Sequence, residues 1–273
     1  LFQKSKKKLF TETFGEKFYI FGQEDWIFTE EFSTEKLMKH FAVNSLKGFG
    51  VDGLRAGTIA AGAALHYLSE TNYERIQHIS ALSRIEEDKY VWLDRFTIRN
   101  LELFGSANEN AKTLTDVIDR TVSPMGARLL KRWLALPLKD IEPIHERLNG
   151  VQAFLERAEL RDKLSEIIRH IGDLERLVAK AAAGRINPRE MLALRRALDS
   201  LEPIREACVT SGQAQLEKIG EKINPCTALR DRIARELHPD PPVLVHKGSV
   251  MADGVDAELD ELRAMAYSGK DYL

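Results

Sequence analysis

Residues 115–134, TDVIDRTVSPMGARLLKRWL, carry the helix signal that decides the fold of this chain. The Ser-Pro pair at 123–124 has the order of an N-cap residue followed by a first helical position. After it, Met125, Leu129 and Trp133 recur at steps of four residues and therefore share one face of a helix. This spacing predicts a helix whose Trp133 face is turned towards a hydrophobic core.

Apolar residues recur with a helical period over most of the chain after Asp94. The helices predicted on this ground are Thr113–Arg120, Ile141–Leu155, Asp173–Ala183, a helix capped by Asn187, Gln213–Ile223 and Thr227–Leu237. Three prolines then interrupt the pattern, and a small β-hairpin is predicted to pair residues 243–245 with residues 249–252. The last predicted helix, after Asp256, continues to the end of the sequence.

The first part of the chain has a different composition, since residues 1–82 hold thirteen of the 21 aromatic side chains. Their alternation predicts strands at Lys17–Phe21 and Trp26–Phe28. Ser33 or Thr34 is the expected N-cap of a helix that follows. The change in composition indicates two regions of different architecture.

A second helix of the first region is predicted over Leu54–Leu68, where small residues dominate. Glycines and alanines along it would allow a very close approach to a neighbouring backbone. The fold class expected for the whole chain is mostly α. Residues 1–82 are predicted to be the C-terminal part of a small α/β domain, and residues 83–273 an all-α helical bundle with the minor hairpin.

The composition excludes several classes of protein. The 273 residues include 40 Lys and Arg against 42 Asp and Glu, so the formal charge of −2 does not suit a wholly electrostatic binder of nucleic acid or membranes. The most apolar stretch, Ala56–Leu68, is too short to span a bilayer. Cys208 and Cys226 lack the spacing of a zinc site or disulfide framework, which predicts two free thiols in a reducing compartment.

Two glycine motifs invite a nucleotide-binding interpretation, and neither has the right context. Gly48–Gly53 matches G-x-G-x-x-G, but residues 42–47 make a poor strand, so a tight turn is favoured over a dinucleotide site. Ser268-Gly269-Lys270 lacks the upstream glycine and the strand of a phosphate loop. The seven histidines never occur at metal-ligand spacing, and we predict no catalytic, cofactor or metal residue in this chain.

Local DNA contact is left open at two basic segments. Arg128, Lys131 and Arg132 lie beside Trp133 on the predicted helix and are the candidate DNA-binding residues. The favoured interpretation is that these three charges lie on the solvent-exposed face of the helix. The run Lys4–Lys8 is interpreted in the same way, as a solvated loop with phosphate contact as the alternative.

The segment Thr115–Pro137 resembles the opening of the helical core of the MutS family of DNA mismatch-repair proteins. Other blocks resemble further parts of that family in the same order along the chain. They are Gly48-Phe49-Gly50 at the end of a connector domain, Asp94–Leu103, Ile171–Arg176, Pro188-Arg189-Glu190, Pro241–Val245, Gly254, Glu258–Glu261 and Asp271-Tyr272-Leu273. The resemblance therefore extends over essentially the whole chain.

The resemblance implies what a complete protein of this kind would do. It would bind mismatched double-stranded DNA as a homodimer, use ATP with Mg²⁺ as a DNA-dependent ATPase, and recruit MutL, with residues 1–60 as the expected contact surface. A bacterial, cytoplasmic location follows from the same resemblance. The family's mismatch-reading wedge, DNA clamp and Walker A loop have no counterpart here, so this chain is expected to be a non-enzymatic piece of a longer polypeptide that stops at the helix leading to the clamp.

The function expected for this piece is mechanical. A packed bundle of helices moves as a rigid body and can transmit a change at an ATP site to a DNA clamp. The polar connection Ser69–Asp88 is the expected hinge between the two regions. Two alternatives stay open, a stand-alone helical scaffold for protein interactions and a chain that binds DNA directly.

Overall fold

The computed structural model describes residues 1–14, 19–51, 53–71, 76–85, 87–106, 108 and 111–268. The chain divides into two compact units. The first comprises Leu1–Glu86 with Ala182–Gly184, and the second Glu87–Ala181 with Arg185–Leu273. Helices dominate the described residues, as predicted, and none of these helices is long and apolar enough to cross a membrane.

The first unit combines two very short strands with three α-helices. Strands β1 (Phe2–Gln3) and β2 (Gly22–Gln23) pair in parallel. The helices are α1 (Lys7–Phe14), α2 (Glu30–Phe41) and α3 (Arg55–Glu70), with 3₁₀ turns at Lys4–Lys6, Asp25–Phe28 and Leu46–Phe49. Helix α3 confirms the predicted helix of small residues, and the turn expected at Gly48–Gly53 contains Gly50 in the left-handed region at φ 66°.

The contact between α2 and α3 forms the core of the first unit. Leu37, Leu46, Val51 and Leu65 are buried together there. A Cβ placed on Gly62 of α3 would lie only 2.6 Å from the Cα of Ser33 on α2, so the two backbones meet as closely as the small-residue pattern predicts.

Three local predictions in the first unit are wrong. Trp26–Phe28 belongs to a 3₁₀ helix, and β2 starts one residue after the predicted strand Lys17–Phe21, of which residues 17 and 18 lie outside the described ranges. Helix α2 is capped by Thr29, whose hydroxyl accepts from the Phe32 amide, while Ser33 is buried within the helix. Acidic residues in its first turn favour the earlier start because they interact well with the helix dipole.

The second unit is a bundle of helices. They are α4 (Arg95–Asn100), α5 (Leu114–Ile118), α6 (Pro124–Ala135), α7 (Ile141–Glu156), α8 (Ala158–Ile171), α9 (Leu174–Ala182), α10 (Pro188–Asp199), α11 (Leu201–Val209), α12 (Ala214–Lys222), α13 (Thr227–Glu236) and α14 (Ala257–Ser268). The predicted caps at Thr113, Ser123 and Asn187 are all present, and the first and last form capping boxes.

Two hydrophobic clusters hold this bundle together. In the first, Leu164 and Ile171 of α8 pack on Ala197, Ile204 and Cys208 of the α10–α11 segment. In the second, Leu194 and Leu198 of α10 pack on Ile233 of α13. Helix α10 contributes to both clusters, so it is the central element of the second unit.

The predicted hairpin is displaced. Met251 forms an antiparallel bridge with Leu237, whereas Val245–Lys247 forms a 3₁₀ helix. The amide of His238 donates to the carbonyl of Val250, which extends the same pairing. The amide of Ala252 likewise donates to the carbonyl of Glu236, so the returning chain pairs with the end of α13 and not with residues 243–245.

Candidate functional site

The candidate DNA residue Arg128 is engaged in ion pairs that join α6 to the start of α9. Its Nη1 and Nη2 donate to the two carboxylate oxygens of Asp173 at 2.9 and 2.7 Å, and its Nε donates to Glu175 at 3.0 Å. These bonds to Asp173 and Glu175 raise the pKa of Arg128, and the same bidentate contact lowers the pKa of Asp173. Arg128 therefore links two helices.

Lys131 and Arg132, the other two candidates, are exposed on α6. Neither forms an ion pair with any residue that the structure describes. Lys131 nevertheless lies near acidic groups, because its charge adds to the hydrogen bonds from Thr113 that lower the pKa of Asp116. Thus the structure does not bring Arg128, Lys131 and Arg132 together as one uncompensated basic surface.

Trp133 also differs from its prediction, because its side chain is 40% exposed and Leu129 is 48% exposed. The guanidinium carbon of Arg147, on α7, lies 3.8 Å from the centre of the Trp133 ring, a cation–π contact. Partial burial lowers the pKa of Arg147. The prediction of a core-facing Trp133 is wrong because the ring packs against the charged Arg147 side chain and stays partly open to solvent.

Helix α9 has a second ion pair at its other end. Lys180 pairs with Glu190, which also closes the capping box of α10 by accepting from the Asn187 amide. The bond from Lys180, followed by that from Asn187, lowers the pKa of Glu190. Both ends of α9 are therefore joined by charged contacts to neighbouring helices.

A further arginine organises the C-terminal part of the second unit. Arg263 of α14 donates to the Met251 carbonyl at 2.9 Å and to Asp253 at 2.8 Å. An open groove of about 600 Å³ lies beside it, lined by His238, Met251 and Leu259 among others. Within the described ranges, no group of three His, Cys, Asp or Glu side chains could hold a metal ion.

The two cysteines are both free. Cys208 is buried in the first hydrophobic cluster, where burial raises the pKa of its thiol, and Cys226 is exposed. A buried thiol with a raised pKa is a poor nucleophile. Cys208 is therefore a packing residue of the cluster.

The sequence alone does not reveal the ion pairs of α9. Arg128 is 45 residues from Asp173 in the chain, so no local spacing rule connects them. Lys180 and Glu190 are separated by the turn between two helices. The sequence does reveal their positions, at a helix start and a helix cap, where charged side chains commonly find partners.

Comparison with known proteins identifies related chains over the full length. The family described as MutS domain III matches residues 96–268, and MutS domain II matches residues 16–80. Proteins named DNA mismatch repair protein MutS are 53% identical in Bacteroides thetaiotaomicron, 54% in Phocaeicola vulgatus and 50% in Cytophaga hutchinsonii. Each alignment covers 100% of this chain and 31–32% of the relative, so the chain spans about a third of the length of these curated relatives. The chain belongs to the MutS family.

Proposed function

We propose that this chain is the connector and lever region of a protein that repairs DNA mismatches. In this proposal residues 1–82 belong to the connector domain and residues 83–273 to the lever, which transmits movement between an ATPase and the parts that hold DNA. The single observation that carries the proposal is the identity of about half of all residues, over 100% of this chain, with proteins named for mismatch repair.

The physical support for a lever is the packing of the second unit. Helix α10 is buried on two sides by separate hydrophobic clusters, and close-packed interiors transmit displacement because they deform little. The exposed contacts of Arg128 and Arg147 then join α6 to α9 and to α7. The core formed by α8, α10, α11 and α13 is the part proposed to carry a movement from one end to the other.

The hinge is proposed within residues 83–88, a narrower range than Ser69–Asp88. Ile79 and Leu82 pack against the core of the first unit, and His40 Nε2 lies 2.8 Å from the Ile79 carbonyl oxygen. On the other side, the Val91 amide donates to the Pro137 carbonyl at 2.7 Å, within the second unit. The hinge is proposed between these two attachments because the boundary between the two units lies there.

The remaining proposals concern the complete protein. It is proposed to bind mismatched double-stranded DNA as a homodimer in the bacterial cytoplasm, and to use ATP and Mg²⁺ through residues outside this chain. This chain is proposed to have no enzymatic activity of its own.

MutL is proposed to bind near residues 1–60, where Glu31 and Glu35 present an exposed acidic face of α2. Unchanged MutL binding by an E31K/E35K variant would contradict that surface.

The lever role is tested in the full-length product of the gene that encodes this chain. Leu194→Ala removes a side chain buried between α10 and α13, and leaves a cavity that softens the bundle. We expect mismatch binding and ATP hydrolysis to persist while ATP-triggered release from a mismatched duplex, followed by stopped-flow fluorescence, slows about tenfold.

The matched control is Leu229→Ala on α13, since Leu229 undergoes the same chemical change but is 49% exposed. We expect this control to release DNA like the unmodified protein. Circular dichroism at the assay temperature checks that both variants are folded. A full-length protein that binds matched and mismatched duplexes equally would overturn the repair proposal and favour a helical scaffold, whereas unchanged release by Leu194→Ala would overturn the lever.

A further inference from the structure

Helix α9 is attached to the second unit without a fully buried side chain. None of its nine residues is fully buried, whereas the neighbouring α10 buries Pro188, Leu194, Ala197 and Leu198. Its apolar residues Leu174, Leu177 and Ala181 pack against the clusters but are only partly buried, and Val178 is 49% exposed. Apolar burial, the main source of stability in a helix bundle, is therefore less complete for α9 than for α10.

Ion pairs supply the specific contacts at both ends of α9. Arg128 binds Asp173 and Glu175 at its start, and Lys180 pairs with Glu190 near its end. The Arg128 side chain is 48% exposed, that of Glu175 is 66% exposed and that of Asp173 is 25% exposed, so solvent reaches the first contact mainly on its Arg128 and Glu175 sides. Salt screens charges in such positions, and their strength falls as ionic strength rises.

The chain also provides a place at which α9 can turn relative to α8. Gly172 separates the two helices and has φ +70° and ψ −144°, a conformation available almost only to glycine. A Cβ at this position would meet no atom within 4 Å, so the surroundings do not press on the joint. Asp173 follows directly and caps α9 by accepting from the Arg176 amide at 3.2 Å.

We infer that α9 opens as a separate unit, turning at Gly172 while the two hydrophobic clusters stay folded, and that the ion pairs at its two ends control how often it opens. Helix α6, to which Arg128 belongs, likewise has no fully buried residue. Release of α9 therefore exposes only its partly buried side chains Leu174, Leu177 and Ala181 and the cluster surface that they cover. Use of this opening during repair rests on the proposed function, but the opening itself does not.

Amide hydrogen exchange on this chain, followed by mass spectrometry, tests the inference. In low salt we expect the amides of Leu177–Ala182 to exchange faster than those of Met191–Leu198 on α10. Raising NaCl to about 1 M, where the screening length falls to about 3 Å, should accelerate α9 exchange about fivefold and leave α10 unchanged. This comparison needs no substitution and is independent of whether a variant folds.

Arg128→Ala should produce the same acceleration in low salt, about fivefold, and should abolish most of the further effect of salt. Arg128→Lys, which keeps the charge but loses the bidentate geometry, should give an intermediate rate. The matched control is Lys131→Ala. Lys131 lies one helical turn after Arg128 on α6 and forms no ion pair with any described residue. Its α9 amides should exchange at the unmodified rate.

Three results would overturn the inference. Equal protection of α9 and α10 in the unmodified chain would show one cooperative unit. Acceleration of α9 and α10 together by salt or by Arg128→Ala would show general destabilisation. Acceleration of α9 by Lys131→Ala as large as that by Arg128→Ala would show that the ion pair has no special role. Since none of these measurements involves DNA or ATP, failure here is distinguishable from failure of the repair proposal.

Discussion

The α2–α3 contact and the α6–α9 contact join helices by opposite means. In the first, Gly62 brings two backbones so close that even one added Cβ has no room beside Ser33. In the second, neither helix has a fully buried residue, and Arg128 reaches across to two carboxylates. The first contact depends on shape and the second on charge. They should therefore respond to different changes, a methyl group in one and salt or acid in the other.

The largest expected effect is at the contact made by shape. In Gly62→Ala the new Cβ would lie 2.4 Å from the Ser33 Cβ and 2.6 Å from its Cα, so the two helices must move apart. We expect a loss of about 2–3 kcal/mol in the free energy of unfolding of the first unit, measured by urea denaturation with Trp26 fluorescence as the probe, in a background in which Trp92 and Trp133 of the second unit are replaced by Phe.

Gly57→Ala on the same helix is the control for that experiment. Its Cβ would meet only the Leu54 Cβ, at an ordinary 3.5 Å. Because alanine favours helix over glycine, this variant should be stabilised by about 0.5–1 kcal/mol. Equal behaviour of the two alanine variants would contradict the close contact at Gly62.

A smaller effect is expected at Gly220, the nearest counterpart of Gly62 in the second unit. A Cβ there would lie 2.8 Å from Val209 Cγ2 and 2.9 Å from the Cys208 Cβ. We expect Gly220→Ala to cost about 1–2 kcal/mol in urea denaturation followed by circular dichroism, because part of the clash is with a side-chain end that can move. Gly150→Ala is the matched control, since its Cβ would meet only Gln215 Cγ at 3.7 Å. A loss of stability as large in the control would exclude packing as the cause.

Sequence reasoning predicts one of these two contacts much better than the other. The small residues of α3 and the caps at Ser123 and Asn187 are local patterns, and the structure confirms the helices drawn from them. The Arg128 contact joins segments 45 residues apart, and an arginine in a helix has the same local pattern whether it faces solvent, DNA or a carboxylate. The fold class can be predicted from the period of the apolar residues and from the residues that cap the helices. The partner of a long charged side chain depends on the tertiary structure, which these local patterns do not give.

The exposure of Trp133 also shows that a local sequence pattern does not predict tertiary contacts. Its step-of-four spacing from Leu129 correctly places both on one helix face, but spacing does not state what that face meets. Leu148, Val151 and Leu155 of α7 are likewise more than half exposed although they follow a core-like spacing. Periodicity therefore identifies the apolar side of α6 and α7, and the structure determines how much of it is covered.

The contact made by charge should contribute little to global stability. Arg128→Ala removes an exposed ion pair, so we expect the thermal midpoint of the second unit to fall by about 1–3 °C in low salt. In about 1 M NaCl the difference from the unmodified chain should disappear, because salt already screens the pair. A decrease that is independent of salt, in scanning calorimetry at both ionic strengths, would mean that Arg128 stabilises the bundle by packing.

Acid should weaken the same contact, with the smallest expected effect. The Arg128 guanidinium holds the pKa of Asp173 below its ordinary value, so this carboxylate stabilises the fold above its unfolded-state pKa and loses that contribution as pH falls through the lower folded-state pKa. The thermal midpoint of the unmodified chain should therefore fall between about pH 5 and pH 3, and part of that fall should be absent in Arg128→Ala. Arg132→Ala, which removes an exposed charge from the same helix, should retain the full pH dependence. Identical profiles for the two variants would mean that Asp173 gains no stabilisation from Arg128, and the α6–α9 contact would then have to be explained by its partly buried apolar residues alone.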